Sequence, residues 1–338
     1  MTTHTVTIVF EDGRSVAIQA AEADTIYLAC LKNKIRILTD CIEGACATCK
    51  ATCTQGEYAL DDYSDEALSA EEAARREVLT CRMHVKSDCV IEYPYESRLS
   101  VKAEPGTWET TVAAVEKVSS TVVRLDLDMT PDAPPVPFLP GQYVHLSVPG
   151  THERRSYSFA NAPGPGPCRF YVKLLEEGVM SAWLRDAARP GDAVTMTGPF
   201  GRFYLRRPTT PILMVAGGTG LAPMLSMLDH MAATGATDQK VRLLLGANAE
   251  DELFALEQLG GYAQKGIDLA IERSVVEPGP GWGGATGHVT SMLRFDQVDA
   301  GQQVYLCGPP PMIEVAEEWL HDHGIEDARV HAEKFLPS

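Results

Sequence analysis

Four cysteines set the first constraint on chemistry. The row Cys41-Ile-Glu-Gly-Ala-Cys46-Ala-Thr-Cys49 holds three thiols, and Cys81 follows thirty-two positions after Cys49. This is C-x4-C-x2-C…C, the spacing of a four-thiolate [2Fe–2S] site. Three thiolates from one tight loop and a fourth from a distant segment can surround two irons. A loop wrapped that closely also aims backbone N–H groups at the sulfurs, and those bonds, with burial, help set the potential. A structural zinc site is the competing reading. Zinc modules usually show paired C-x2-C knuckles, and only one such pair is present here. The remaining nearby cysteines, Cys30, Cys53 and Cys89, read as small buried hydrophobes that pack.

The elements that must hold this loop can be read around it. Residues 5–10 and 15–20 alternate as strands about Asp12-Gly13, a hairpin turn signal. Residues 24–33 have helical spacing, with Asp24 as the candidate N-cap. Ser69-Ala70-Glu71-Glu72 is a capping box that predicts a helix ending near Cys81, and residues 90–93 close as a strand. The pattern predicts a β-grasp-like α+β domain over 1–97. Residues 5–95 resemble the ferredoxin domain of class IB aromatic-dioxygenase reductases. Related families often carry Gly where this chain has Ala45 and Ala47, and a positive φ at either would strain alanine by about 1 kcal/mol or more.

Downstream, Arg154-Arg155-Ser156-Tyr157-Ser158 follows a strand-like segment and resembles the R-x-Y-S motif of the ferredoxin–NADP reductase superfamily. The resemblance implies FAD. Arg155 can fork onto its pyrophosphate, Tyr157 offers an aromatic face to the ring, and Ser158 can hydrogen-bond near N5. Gly178-Val179-Met180-Ser181 opens a helical stretch and resembles the superfamily's G-x-x-S. A helix start with Gly178 and Ser181 is a ready anion site, and the FAD pyrophosphate is expected there.

A second glycine loop, Gly217-Gly218-Thr219-Gly220-Leu221-Ala222-Pro223, follows the apolar run 212–216 and precedes a helix expected from Met224. Such a strand–loop–helix unit lets a diphosphate approach backbone N–H groups. Pro223 replaces the third Gly of G-x-G-x-x-G and suits the first helical position. This form resembles the reductase superfamily, with Gly218, Thr219, Gly220 and Pro223 expected at the nucleotide. Val304-Tyr305-Leu306-Cys307 then leads into Gly308-Pro309-Pro310-Pro311-Met312, which resembles C-G-P-x-x-M. The resemblance places Cys307 beside the nicotinamide, with Gly308, Pro309 and Met312 around it. It also implies that Glu333 sits near flavin N5 and that Phe335 shields the ring. The acidic loop after Leu245 disfavours a 2′-phosphate, so NADH is expected over NADPH, with Arg273 and Arg242 the cations that could argue otherwise.

The chain has 338 residues and a net charge of −17. That length allows two or three domains, and the acidity excludes nucleic-acid binding through phosphate contacts. No secretory pattern and no apolar run near ~18 residues is present, so a cytoplasmic protein without a membrane span is expected. Pattern gives a β-grasp-like domain at 1–97, a linker at 98–106, an antiparallel β-barrel at 107–207 and an α/β domain with a parallel sheet at 208–338. The resemblance implies that the three domains are a ferredoxin, an FAD-binding and an NAD-binding domain.

The resemblance is strongest to reductase components of benzoate, toluate or anthranilate 1,2-dioxygenases. It implies two-electron oxidation of NADH at FAD and single-electron delivery through the cluster to a terminal oxygenase. Reductases of phenol hydroxylase and other soluble diiron monooxygenases share the module order. A non-enzymatic carrier or zinc-stabilised interaction module is the different-class alternative.

Overall fold

The structure is a computed structural model describing residues 2–101, 106–131, 133–206, 210–236, 238–294, 298, 301–325 and 329–335. The expected linker at 98–106 falls partly outside that set, at 102–105, and so does the expected boundary at 207/208. The chain divides into two compact units, Met1–Gly106 with Pro199–Arg202, and Thr107–Gly198 with Phe203–Ser338.

The first unit opens with the hairpin β1 (Thr3–Val9) and β2 (Ser15–Ala21), turned by Gly13 at φ 78°. Helix α1 (Ile26–Lys32) follows, then β3 (Lys50–Gln55), β4 (Tyr58–Leu60), α2 (Ala70–Ala74), β5 (Glu77–Leu79), β6 (Met83–Val85) and β7 (Cys89–Glu92). The main sheet runs β2-β1-β7-β3-β5, with β1 and β7 parallel and the other pairs antiparallel. Alternation explains the face it buries: Val6 and Ile8 point into a core with Ile18, Ala20, Ile26 and Tyr93. Each fully buried aliphatic side chain stabilises by about 1.5–3 kcal/mol.

Two local expectations change. The cap of α1 is Thr25, whose hydroxyl accepts from Leu28 N–H at 3.3 Å. Asp24 instead pairs with Lys32 at 2.5 Å. The capping box of Ser69 and Glu72 forms in both directions. Its helix, however, stops at Ala74, because Arg76 turns to φ 65° and β5 intervenes before Cys81.

The second unit begins as a six-stranded sheet ordered β11-β10-β13-β8-β9-β12. Its strands are β8 (Gly106–Lys117), β9 (Val122–Met129), β10 (Tyr143–Ser147), β11 (Arg154–Ser158), β12 (Cys168–Lys173) and β13 (Ala193–Phe200), with α3 (Val179–Asp186) before the last. Every pairing described within it is antiparallel. The outer strands β11 and β12 approach each other, so the sheet curls into a near-barrel.

The α/β half contains β14 (Ile212–Gly217), α4 (Leu221–Thr234), β15 (Val241–Ala249), α5 (Leu256–Gly261), β16 (Leu269–Glu277), β17 (Ala285–Thr286), β18 (Gln303–Gly308), α6 (Pro310–Asp322) and β19 (Val330–Lys334). All pairs in its sheet, ordered β17-β16-β15-β14-β18-β19, are parallel. Buried on both faces, β14 reads as a continuous apolar run. Barrel residues Val122, Tyr171, Phe203 and Leu205 share one apolar core with β14 and α4. Ser226 Oγ also donates to Asn161 O at 2.8 Å across the same contact. Among the described residues no helix is long and apolar enough to cross a membrane.

Candidate functional site

The cysteine loop lies between α1 and β3, and Cys81 sits just after β5. Its four thiols fall into two hydrogen-bonded pairs, Cys41 with Cys46 and Cys49 with Cys81. Backbone N–H groups point at sulfur: Cys41 N–H donates to Cys46 Sγ and Ala45 N–H to Cys41 Sγ, each at 3.4 Å. Thr80 fixes the buried pair, because its hydroxyl and its N–H both donate to Cys49 O, at 2.9 and 3.2 Å. Cys49 and Cys81 are each 2 % exposed under Ala67, Leu68 and Leu79, whereas Cys41 and Cys46 are half-exposed.

Hydrogen bonds from Thr48 and Cys41 bring the Cys46 thiol down to about 6. Burial, then Cys49, pushes Cys81 up to about 12. Among the described residues, no three His, Cys, Asp or Glu side chains converge on a single-ion position. Two pairs of thiols, with N–H groups aimed at them, fit a two-iron cluster that takes two thiolates at each iron.

The loop's backbone bears on its two alanines. Ala47 stands at φ 60° and Ile42 at φ 61°, while Ala45 is not among the positive-φ residues. Gly44, at φ 76°, has no room for a side chain: a Cβ would lie 2.9 Å from Tyr63 Cβ and 3.0 Å from Arg82 Cγ.

In the second unit, a cleft of about 1090 Å³ runs from β11 to the C-terminal ends of β14, β15 and β18. The strand order reverses between β14 and β18, and open α/β sheets bind ligands in the crevice at such a switch point. Nine expected site residues line the cleft: Arg155, Tyr157, Ser158, Gly218, Thr219, Pro309, Met312, Glu333 and Phe335. Gly220, Pro223, Cys307, Gly308, Gly178 and Ser181 are not in its lining.

Several of these non-lining residues build the walls. A Cβ on Gly220 would lie 2.1 Å from Cys307 O, and one on Gly217 would lie 2.8 Å from Met312 Sδ, so the two loops touch through glycine backbone. Helix α4 starts at Leu221, three residues earlier than expected. Pro223 therefore occupies the third helical position, where its missing N–H is still one of the helix's unpaired four. Helix α6 starts at Pro310, with Pro310 and Pro311 as its first two residues. Gly178 is the N-cap of α3, and Ser181 Oγ accepts from Leu175 N–H at 2.9 Å. It is Leu175 that faces the cleft.

The chemistry at the cleft floor is set by register. In the parallel β18–β19 pair, Cys307 is opposite Glu333 and Gly308 opposite Lys334. Phe335 N–H donates to Gly308 O at 2.9 Å, which ties Phe335 to the end of β18. From β11, Ser158 Oγ donates to Glu333 Oε2 at 3.2 Å. Loss of hydration raises the Glu333 carboxyl to about 8, against the Ser158 hydrogen bond. Burial, then Glu333, pushes the fully buried Cys307 thiol well up, so it stays neutral. Tyr157 is raised by burial and opposed by Arg155. Arg155 itself pairs with Glu153 at 2.8 Å, so the guanidinium is held at the mouth of the cleft.

Sequence reading missed Tyr143, Lys173, His288 and Thr290 in the lining. Tyr143 is the antiparallel partner of Ser158, and no local pattern announces that pairing. The acidic loop was noticed, but not that Asn248 and Glu252 line the cleft, with Glu252 accepting from Asn248 N–H at 3.2 Å. Of the two candidate cations, one has an ion-pair partner. Arg242 pairs with Glu272 at 2.7 Å, and the Arg273 guanidinium lies 5.5 Å from the Trp282 ring centre.

Comparison with known proteins agrees with this layout. Residues 9–86 match the family described as 2Fe-2S iron-sulfur cluster binding domain, residues 109–204 the oxidoreductase FAD-binding domain, and residues 214–318 the oxidoreductase NAD-binding domain. The chain is 38% identical over 337 residues to the 2-halobenzoate 1,2-dioxygenase electron transfer component of Burkholderia cepacia, covering 99% of this chain and 98% of that one. It is 36% identical to the anthranilate 1,2-dioxygenase electron transfer component of Acinetobacter baylyi, with the same coverage. Among solved structures, an Amycolatopsis cytochrome P450 reductase superposes with a TM-score of 0.65 at 27% identity, covering 98% of this chain and 99% of that one. A full-length match at this identity, on a chain carrying the cluster thiols, a flavin-type barrel and a nucleotide sheet, decides the assignment: the protein belongs to the family of 1,2-dioxygenase electron transfer components, flavin- and iron–sulfur-dependent oxidoreductases with 2Fe-2S, FAD-binding and NAD-binding domains.

Proposed function

We propose that this protein oxidises NADH in the cytoplasm and delivers the electrons singly to the terminal oxygenase of an aromatic-ring-hydroxylating dioxygenase of the benzoate type. The observation that carries the reading is the convergence of Ser158, Glu333 and Cys307 at the switch point of the nucleotide sheet. When bound, the flavin would turn a two-electron donor into single electrons and the cluster would carry them one at a time.

The chain's own residues prepare the reacting position. Tyr157 offers its ring face to the isoalloxazine, and Arg155 its guanidinium to the pyrophosphate. Gly178 and Ser181 support that anion end through Leu175. Ser158 and Glu333 hold a proton between them, and with the carboxyl raised to about 8 Glu333 is a neutral O–H donor at pH 7. A charged carboxylate there would repel an electron-rich ring. Pro309 and Met312 would shape the nicotinamide side of the cleft, and the buried, neutral Cys307 with Gly308 would back that wall from behind. Gly218, Thr219 and Gly220 let a diphosphate reach backbone N–H groups at the start of α4, and Pro223 stiffens that turn. Phe335, which lines the cleft, would cover the ring. Cys41, Cys46, Cys49 and Cys81 hold the cluster. Glu252 at the cleft disfavours a 2′-phosphate, and Arg242 is paired with Glu272, which supports NADH over NADPH.

The test is reconstitution. Purified holoprotein with a benzoate-type oxygenase and its aromatic acid should consume NADH in step with the oxygenated product. Flavin and iron–sulfur absorption should both bleach anaerobically on adding NADH. A protein that bleaches but never drives the oxygenase would refute the partner. One that lacks either chromophore, or carries zinc, would refute the whole scheme.

A further inference from the structure

Two cysteines outside the cluster set lie together in the first unit. Cys53 on β3 and Cys89 on β7 are 0 % and 1 % exposed; the Cys89 thiol donates to the Cys53 sulfur, and Cys53 Sγ in turn donates to Gln55 O at 3.1 Å. They meet where the β3–β7 ladder slips, between the pairs Cys53–Ile91 and Gln55–Val90. A bulge re-aims the side chains beside it, so thiols that a regular ladder would hold apart come into contact.

Arg76 adds a cation to this pair. Its Nη2 lies 3.6 Å from Cys53 Sγ and also donates to Gly56 O, while its Nε donates to Cys53 O at 2.7 Å. The guanidinium stacks 5.1 Å from the Tyr58 ring centre. Arg76 holds this position from φ 65°, a region few non-glycine residues occupy, and Cys53 N–H returns a bond to Arg76 O at 2.9 Å. Packing alone asks here for two small apolar groups. It does not ask for a guanidinium brought onto one sulfur by a residue in a strained conformation.

We propose that Cys53 and Cys89 form a reversible redox pair, with Cys53 the attacking thiolate, Cys89 the resolving thiol and hydrogen peroxide the oxidant. The Cys53 sulfur attacks one peroxide oxygen: an S–O bond forms, the O–O bond breaks and hydroxide leaves. Cys89 gives its proton to that hydroxide, making water. The Cys89 sulfur then attacks the Cys53 sulfur: the S–S bond forms, the S–O bond breaks and a second hydroxide leaves. One thiolate, one thiol and one hydrogen peroxide thus become one disulfide, one water and one hydroxide, with two electrons passing from sulfur to oxygen. The surroundings divide the roles. The hydrogen bond from Cys89, then Arg76, lowers the Cys53 thiol against its burial, whereas Cys53 and burial push Cys89 up. Half-buried Gly56 lies directly over the pair, since a Cβ there would come within 2.5 Å of Cys89 Sγ.

The pair is four residues along β3 from the ligand Cys49, and Arg76 begins the segment that leads through β5 to Cys81. Oxidation alters the Cys53 sulfur that Arg76 contacts, so the state of this pair reaches both buried cluster ligands through one strand and one side chain.

The experiment uses the full-length holoprotein with flavin and cluster bound. After exposure to hydrogen peroxide, remaining thiols are alkylated in denaturant and the peptides mapped by mass. A linked Cys53–Cys89 peptide should appear while the cluster's visible absorption persists, and dithiothreitol should reverse it. Arg76→Gln should slow its formation severalfold at neutral pH, because it removes the cation that favours the Cys53 thiolate. Cys89→Ser should strand Cys53 as a sulfenic acid that dimedone labels, which keeps the test open if Arg76→Gln fails to fold. Cys30 is the control, because it is fully buried, has no such cation and is raised to about 12 by burial. The proposal is overturned if the linkage forms only after cluster loss, or if dimedone labels Cys53 no faster than Cys30.

Discussion

Two residues carry strain or charge that can be measured directly. Ala47 adopts φ 60° in the cluster loop, where a Cβ costs about 1–2 kcal/mol, while glycine would forfeit about 0.5–1 kcal/mol of chain entropy. Ala47→Gly should therefore raise stability by about 0.5–1 kcal/mol, read from the urea midpoint of the cluster-loaded protein. Ala45→Gly should give no gain, because Ala45 is not among the positive-φ residues and its N–H is committed to Cys41 Sγ. Both alanines stood out in the row of residues, but which of them bears strain depends on hydrogen bonds that no local pattern states. Glu333 gives a pH signature. Its carboxyl is raised from 4.5 to about 8, so the folded chain holds that proton more tightly than the unfolded one. The stability this confers is complete below 4.5 and is lost as pH rises through about 8. Glu333→Gln should flatten the fall in urea midpoint between about pH 5 and about pH 8, a slope on the order of a few kcal/mol in the parent. An unchanged slope would show that the proton sits elsewhere.

At the scale of elements, the glycine loop after β14 separates two reasons for glycine that sequence cannot distinguish. Gly218 has open space around it but stands at φ 55°, whereas Gly220 has no room, with Cys307 O 2.1 Å from where a Cβ would sit. Gly218→Ala should cost about 1 kcal/mol through backbone strain alone. Gly220→Ala must push two backbones apart and should cost about 3 kcal/mol, the upper end of overpacking. Because Cys307 would move with its strand, Gly220→Ala should also slow flavin bleaching by NADH in stopped flow, and Gly218→Ala should affect it less. Equal effects from the two would contradict the close approach of the loops. The strand–loop–helix order was legible here because apolar runs and glycines are local. The helix start at Leu221 was not, since proline fits several first-turn positions equally well. The Tyr143–Ser158 pairing was likewise hidden, because the register between two barrel strands is fixed by the sheet as a whole.

At the scale of the molecule, the three modules could be read in chain order from their motifs, yet the contact that completes the cleft could not. Ser158 and Glu333 are 175 residues apart, and only the β18–β19 register beside the barrel brings them together. Resemblance named Glu333, but spacing alone never would have. Charge is the whole-molecule property that sequence states most directly. The chain carries −17, and residues 1–97 hold 17 acidic against 9 basic side chains. Such a surface attracts a partner with a basic patch from beyond contact range, and that attraction is screened once the Debye length shrinks below the separation of the charges. If the acidic ferredoxin unit selects the oxygenase, the second-order rate of oxygenase reduction should fall at least about tenfold between about 20 and about 300 mM salt. Flavin reduction by NADH within the same protein should change much less, because it depends on the apolar and hydrogen-bonded contacts of the cleft. Stopped-flow traces of the two steps in one salt series separate them. A flat second step would mean that the acidic residues keep the protein dispersed in solution and that apolar contacts choose the partner.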